Sequence, residues 1–85
     1  MQRIRDRIVS MVREGWGDEM ADKAAAGEPI LVDKLDSLER LDFIAGVENI
    51  FDVCIPDVVT QDMKTVDDIA GYVGKITAGA THGSH

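Results

Sequence analysis

Apolar residues recur every three or four positions along almost the whole chain, and this spacing constrains the fold more than any other feature of the sequence. A repeat of about 3.6 residues is that of an amphipathic α-helix, and no strand-like alternation competes with it. The sequence therefore predicts an all-α fold. The pattern is clearest near the two ends, at Ile4, Ile8, Met11 and Val12, and at Val66, Ile69, Ala70, Val73 and Ile76.

Turn-forming and capping residues predict where the helices begin and end. The first helix should end near Gly15 or Gly17, and the second should run from Asp36 or Ser37 to about Phe51. These two helices account for much of the apolar pattern in the first half of the chain.

The remaining segments predict one long loop and two further helices. Residues 18–35 contain a glycine and a proline that interrupt a helical pattern, so we expect mainly an irregular connection there. The sequence leaves open whether the alanine run at residues 24–26 forms a helical turn. Residues 57–63 favour one short helix, and Thr65 with Asp68 has the spacing of a capping box that opens the last helix. The predicted architecture is a small bundle of three main helices plus one short helix, with a long loop between helices 1 and 2.

Composition limits the domain count and the classes of partner. We expect one domain over residues 1–77 and a flexible tail over residues 78–85, whose Gly-Ser-His end has the composition of a cloning remnant. The 85 residues carry 16 acidic and 9 basic side chains, a net charge of -7. This charge repels nucleic acid and anionic membranes and favours partners with basic patches. A single cysteine and the lack of a membrane-length apolar run suit a cytoplasmic protein, expected to be a monomer.

The second helix has a predicted core stripe and an opposite, exposed strip that contains two acids. The core stripe consists of Leu41, Ile44, Val47 and Phe51, with Phe43 and Ile50 at its edge. The opposite strip consists of Leu38, Asp42, Ala45, Asn49 and Asp52. This strip is either a solvated face with one stray leucine or a docking surface for a basic partner, and the helical wheel alone favours the solvated face.

Ser37 also has two interpretations. Asp36 and Glu39 have the spacing of an N-terminal capping pair, which leaves Ser37 as an ordinary residue of the first turn. Alternatively, Ser37 is an attachment point, since an anion linked to it would lie at the positive end of the helix dipole, near unpaired N–H groups. Physical chemistry alone leaves both interpretations open.

Four elements in register resemble the acyl carrier protein family over nearly the whole chain. They are Asp36-Ser37-Leu38 at a helix start, the aromatic Phe51, Ile55-Pro56-Asp57 and the segment "TVDDIAGYV" from Thr65 to Val73. The resemblance implies that a phosphopantetheinyl transferase attaches 4'-phosphopantetheine covalently to Ser37. The thiol of this arm would carry acyl groups as thioesters and present them to fatty-acid, polyketide or other biosynthetic enzymes.

The resemblance also implies roles for other residues. The transferase would recognise Asp36. Acyl-loading, condensing and modifying enzymes with basic docking patches would bind the second helix. The expected partner-binding residues are Leu38, Glu39, Asp42, Ala45 and Glu48. The residues expected to line a cavity for a short acyl chain, beyond ordinary core packing, are Ile44, Val47, Ile55, Met63, Ile69 and Tyr72.

Three positions depart from the family pattern. Lys34 stands where glycine is usual, and Ala45 is smaller than the apolar residue of many fatty-acid carriers. Arg40 falls in the core sector near the expected cavity opening, where it either extends its apolar stem over the core or binds the prosthetic phosphate or a polar acyl cargo. Without the arm, we expect it to pair with an acid such as Asp33 or to be mobile. These departures favour a specialised carrier, for polyketide, modified lipid or aminoacyl chemistry.

Two other function classes are weaker. An unmodified helical adaptor with the carrier fold is the main alternative. An independent enzyme is least favoured, because no base stands near Ser37 or Cys54 and both histidines, His82 and His85, lie in the predicted tail, where they form no metal site.

Overall fold

The computed structural model describes the backbone of residues 2–83 and the side chains of residues 3–77, and its regular elements are all helices. In chain order they are α1 (Gln2–Trp16), α2 (Asp18–Ala25), α3 (Ile30–Asp33), α4 (Ser37–Phe51), α5 (Asp57–Thr60) and α6 (Val66–Gly83). The predicted all-α bundle is confirmed, as are the end predicted for α1 and the bounds predicted for α4.

The predicted long loop between the first two main helices is wrong, because α2 and α3 occupy most of residues 18–35. Ala21 and Ala24 lie on one face of α2 and are fully buried, and alanine is the strongest helix former. Gly17 and Gly27 have positive φ angles of 100° and 85° and lie just outside the two ends of α2. These breaking residues therefore delimit a short helix instead of preventing one.

The core is an apolar cluster to which α1, α2, α3, α4 and α6 all contribute. Among the described residues, no polar or charged side chain is buried. Trp16, at the end of α1, packs against Phe43 of α4 with ring centroids 5.8 Å apart. The buried members are Ile8, Val12, Ala21, Ala24, Ile30, Leu31, Leu35, Phe43, Ile44, Val47, Ile55, Met63, Val66, Ile69, Ala70 and Val73.

Helix α4 is rotated relative to the predicted core stripe. Leu41, predicted to face the core, is 60% exposed, whereas Phe43, predicted at the edge of the stripe, is fully buried. The sequence pattern misleads because α4 carries apolar residues on both faces. Gly46 of α4 also faces α1, where a Cβ atom would lie only 2.7 Å from the Sδ atom of Met11.

Polar links from Arg5 connect α1 to two other helices. Its guanidinium donates to the carbonyl group of Ala25 at the end of α2, and its Nε atom lies 2.5 Å from Asp67 Oδ1 in the first turn of α6. The positive charge of Arg5 therefore suits the C-terminal end of the α2 dipole, and the carboxylate of Asp67 suits the N-terminal end of the α6 dipole.

The start of α6 is a reciprocal capping box, as the sequence predicted. Asp68 donates its N–H to Thr65 Oγ1 at 3.0 Å, and its carboxylate accepts the N–H groups of Lys64 at 2.9 Å and Thr65 at 3.2 Å. The Lys64 carbonyl accepts the N–H of Leu31 at 3.1 Å, so α3 is attached to the same turn.

The last helix passes the predicted domain boundary at residue 77. Its backbone continues to Gly83, while the side chains of residues 78–85, including both histidines, lie outside the described residues. The division into a domain and a flexible tail stays a prediction.

The Asp68 cap should make stability depend on pH. The N–H donated by Lys64 lowers the pKa of the Asp68 carboxyl below its ordinary value, with the hydrogen bonds of Thr65 adding to the effect and burial opposing it. A carboxyl whose pKa is lower in the folded state stabilises the fold above its unfolded pKa, and this stabilisation is lost as the pH falls through the folded pKa. Asp68→Asn should therefore lower the free energy of unfolding at neutral pH by roughly 0.3–1 kcal/mol, because an exposed negative charge is lost from the N-terminus of α6.

Urea unfolding of the parent and the variant at neutral pH and at about pH 2 tests this expectation. The difference in the free energy of unfolding between the parent and the variant should be smaller in acid. A difference of equal size at both pH values would contradict the expectation. Asp62→Asn is the control, because this exposed carboxylate has no bonded partner among the described residues.

Candidate functional site

The N-terminus of α4 is closed by a reciprocal capping box. Asp36 Oδ1 accepts the N–H of Glu39 at 2.8 Å, and Glu39 Oε1 accepts the N–H of Asp36 at 3.1 Å. Side chains on either side of Ser37 therefore satisfy the helix end, as the Asp36–Glu39 spacing predicted.

Ser37 is the first residue of α4, and the cap does not use its side chain. The residue is exposed, and its hydroxyl has no hydrogen-bond partner in the part of the chain that the structure describes. Because Asp36 performs the capping, the Ser37 hydroxyl is available for other chemistry at the positive end of a 15-residue helix.

A cleft of about 310 Å³ lies between the N-terminal half of α4 and helix α5. Apolar side chains of α4 form part of its wall, and polar side chains of α5 and of the residue after it form another part. The lining residues are Ser37, Arg40, Leu41, Ile44, Asp57, Thr60 and Gln61. Of the predicted site residues, the cleft thus brings together Ser37, Arg40 and Ile44.

Arg40 spans this cleft from α4 to the turn after α5. Its Nη2 atom donates to the carbonyl group of Thr60 and, at 3.2 Å, to that of Met63. The predicted pairing with Asp33 or mobility is therefore wrong, because backbone carbonyls of the neighbouring turn lie within reach and bind the guanidinium instead.

Exposed apolar side chains lie on both of the helices that border the cleft, α4 and α5. Leu38 is 74% exposed and Leu41 is 60% exposed on α4, and Val58 is 69% exposed on α5. The sequence predicts the helix at α5 but indicates no part for it in the site. Its only local signal was Val58, an apolar residue that the core does not bury.

The residues predicted to bind partners differ in whether their side chains already make hydrogen bonds within the protein. Asp42 and Ala45 are exposed, and Asp42 has no bonded partner among the described residues. The carboxylate of Glu39 belongs to the capping box, and Glu48 Oε2 accepts the N–H of Ile55 at 2.7 Å. Glu48 therefore holds the backbone that follows α4.

The six residues predicted to line an acyl cavity belong to the packed core or border it. Five of them are buried, and Tyr72 is half-buried against the same cluster. Ile44 is the one that also lines the cleft. The full set is Ile44, Val47, Ile55, Met63, Ile69 and Tyr72, and their role in holding a cargo stays a prediction.

The described part of the chain contains neither a candidate metal site nor a candidate membrane-spanning helix. Residues that carry His, Cys, Asp or Glu side chains form no group of three or more that could hold a metal ion. No described helix combines the length and the apolar character needed to cross a membrane.

Similarity in sequence connects the chain to acyl carrier proteins of several bacteria. It is 39% identical over 74 residues to that of Bdellovibrio bacteriovorus, covering 85% of this chain and 92% of the relative. It is 27% identical over 74 residues to that of Akkermansia muciniphila, covering 86% of this chain and 91% of the relative.

Shorter matches cover only part of the relatives. The chain is 44% identical over 41 residues to the acyl carrier protein of Phytoplasma australiense, covering 48% of this chain and 54% of the relative. A second match, to that of onion yellows phytoplasma, also spans little more than half of the relative, at 57%. No protein-family model and no solved structure gives a significant match. The identity to the Bdellovibrio protein extends over nearly its whole length, and the chain therefore belongs to the acyl carrier protein family.

Proposed function

We propose that this protein carries acyl intermediates as thioesters on a 4'-phosphopantetheine arm attached through a phosphodiester to Ser37. The observation that carries the proposal is the exposure of Ser37. Its hydroxyl has no hydrogen-bond partner among the described residues, and the residue lines a cleft. Asp36 already caps the helix, so modification of Ser37 would leave the cap intact.

The surroundings of Ser37 suit the chemistry of this group. A phosphodiester there would face the N-terminus of α4, where the first-turn N–H groups carry partial positive charge. The guanidinium of Arg40 lies in the same cleft. When bound, the group supplies a terminal thiol that forms thioesters, and the residues of this chain would orient the arm and shelter part of it.

The cleft and the core beneath it support a role in holding cargo. The cleft volume of about 310 Å³ is at the lower end of the range for small-molecule sites. Leu41 and Ile44 offer it an apolar wall, and Ile44 connects this wall to the buried cluster. A short acyl chain would lie first against these two side chains.

Partner enzymes would dock on the exposed face around the cleft. Leu38, Leu41 and Val58 provide apolar contact, and Asp42 provides negative charge beside them. Apolar side chains surrounded by acids fit partners that present an apolar pocket within a basic patch. Ala45 would extend this surface without adding much contact area. Docking through Glu48 is less favoured, because its carboxylate already binds Ile55.

The wider role is that of a non-catalytic, monomeric and cytoplasmic subunit serving a specialised pathway. A guanidinium at the cleft and a small residue at Ala45 favour polyketide, modified lipid or aminoacyl chemistry over bulk fatty-acid synthesis. The alternative is an adaptor that keeps the carrier fold without being modified, and the mass measurement below separates the two.

Ser37→Ala should fold like the parent and take up no arm. Incubation with coenzyme A and a phosphopantetheinyl transferase should add the mass of one phosphopantetheinyl group to the parent and none to the variant. Ser10→Ala is the control, since Ser10 is an exposed serine within α1, and this variant should be modified like the parent. An unmodified parent would favour the adaptor, and a modified Ser37→Ala would refute the attachment site.

Asp42→Lys should slow acyl loading by partner enzymes and leave thermal stability nearly unchanged. The physical reason is that an exposed acid contributes long-range attraction to a basic partner but little to folding. The loading rate of the parent should fall with added salt, and the variant should respond less to salt.

Two further variants make the docking test specific. Asp6→Lys makes the same charge change on α1, where the residue is exposed, and should load like the parent. Glu48→Lys should instead lower the free energy of unfolding by roughly 1–3 kcal/mol, because the Ile55 N–H loses its acceptor. Equal loading by the Asp42→Lys variant and the parent would remove Asp42 from the docking surface.

A further inference from the structure

Arg40 is a cation fixed in the cleft without a carboxylate partner. Among the described residues, no acid lies within ion-pair distance of its guanidinium, and both of its hydrogen bonds to carbonyl oxygens come from Nη2. A guanidinium has five N–H donors, so most of them remain for other partners. No buried side-chain nitrogen in the described part of the chain lacks a partner, so these remaining donors reach solvent.

Arg40 lines the same cleft as Ser37. The two residues are three apart on α4, which places them on neighbouring parts of the same helix face, and both line the cleft. Asp57 also lines the cleft but makes no ion pair with Arg40. The cleft therefore holds one half-buried cation whose charge no neighbouring acid neutralises directly.

Such a cation favours an oxyanion. A guanidinium presents paired N–H groups that match the oxygens of a phosphate or carboxylate, and partial removal from water strengthens the interaction. The bonds to Thr60 and Met63 already hold the side chain in place, so little conformational entropy remains to be lost when an anion binds.

We propose that Arg40 binds an oxyanion carried on the Ser37-linked arm. The oxyanion is either the phosphodiester at Ser37 or a carboxylate at the end of an acyl group, and a neutral acyl chain offers only the former. This proposal rests on the proposed function, since it needs an arm on Ser37.

The test compares loaded forms of the parent and of Arg40→Gln, which keeps an N–H donor and loses the charge. Each protein is prepared unmodified and loaded from coenzyme A, butyryl-coenzyme A or succinyl-coenzyme A, and loading is verified by intact mass. The butyryl and succinyl groups have the same carbon count and differ in a terminal carboxylate. Thermal melting and the ³¹P resonance of the phosphodiester are then measured.

The two sources of the oxyanion give different results. If Arg40 binds the phosphodiester, Arg40→Gln should melt roughly 4–8 °C further below the parent in every loaded form than in the unmodified form, and the ³¹P resonance should shift. If it binds a cargo carboxylate, this additional loss should appear in the succinyl form alone.

Equal losses in the unmodified and all loaded forms would overturn the proposal and leave Arg40 as a link between α4 and the turn after α5. If Arg40→Gln fails to fold, Arg40→Lys takes its place: it keeps the charge, and its melting temperature should still respond to salt more when loaded than when unmodified. An equal salt response in both forms would overturn the proposal.

Controls separate this proposal from the proposed function. Arg7→Gln removes the same charge from an exposed position on α1 and should lose equal stability in all forms. Asp57→Asn should increase the stabilising effect of the oxyanion, because the one acid lining the cleft is neutralised. If no protein gains mass, the proposed function and this inference both fail, whereas normal loading with equal losses refutes the role of Arg40 alone.

Discussion

The geometry of the site depends on how the backbone of residues 60–65, from the last residue of α5 to the residue before α6, is held. Arg40 of α4 donates to two of its carbonyl groups, Leu31 of α3 donates to a third, and the carboxylate of Asp68 in α6 accepts two of its N–H groups. No residue of α5 is buried, and no side chain caps its N-terminus. The position of α5, and with it one wall of the cleft, therefore follows from polar contacts near its C-terminal end together with the partial packing of Val59 against the core.

At the start of α4, one residue caps the helix and another presents an exposed hydroxyl. A serine at the start of a helix often serves as its cap, which would commit the hydroxyl to a backbone N–H. Here Asp36 and Glu39 close the helix end, and Ser37 is displaced by one position into the first turn. The hydroxyl is thereby exposed at the cleft, while the helix that presents it keeps a complete cap.

Charge is divided between the surface and the cleft. The molecule is strongly acidic overall, with a net charge of -7, and Asp42 contributes to this charge on the exposed face of α4. The guanidinium of Arg40 is instead half-buried at the cleft and bound to carbonyl dipoles. A basic partner approaching from outside would meet the acids, whereas a group carried within the cleft would meet the cation.

The sequence by itself determined the features that depend on neighbours along the chain. The helical period, the bounds of α4 and the capping pair Thr65–Asp68 all follow from residues within a few positions of each other, so local patterns were sufficient to predict them. The tertiary structure decided which face of α4 is buried, exposing Leu41 and burying Phe43, because apolar residues on both faces leave that choice to packing against the other helices. It also decided the partners of Arg40, which lie 20 and 23 residues away and are backbone carbonyls, groups that every residue carries and that no sequence pattern distinguishes.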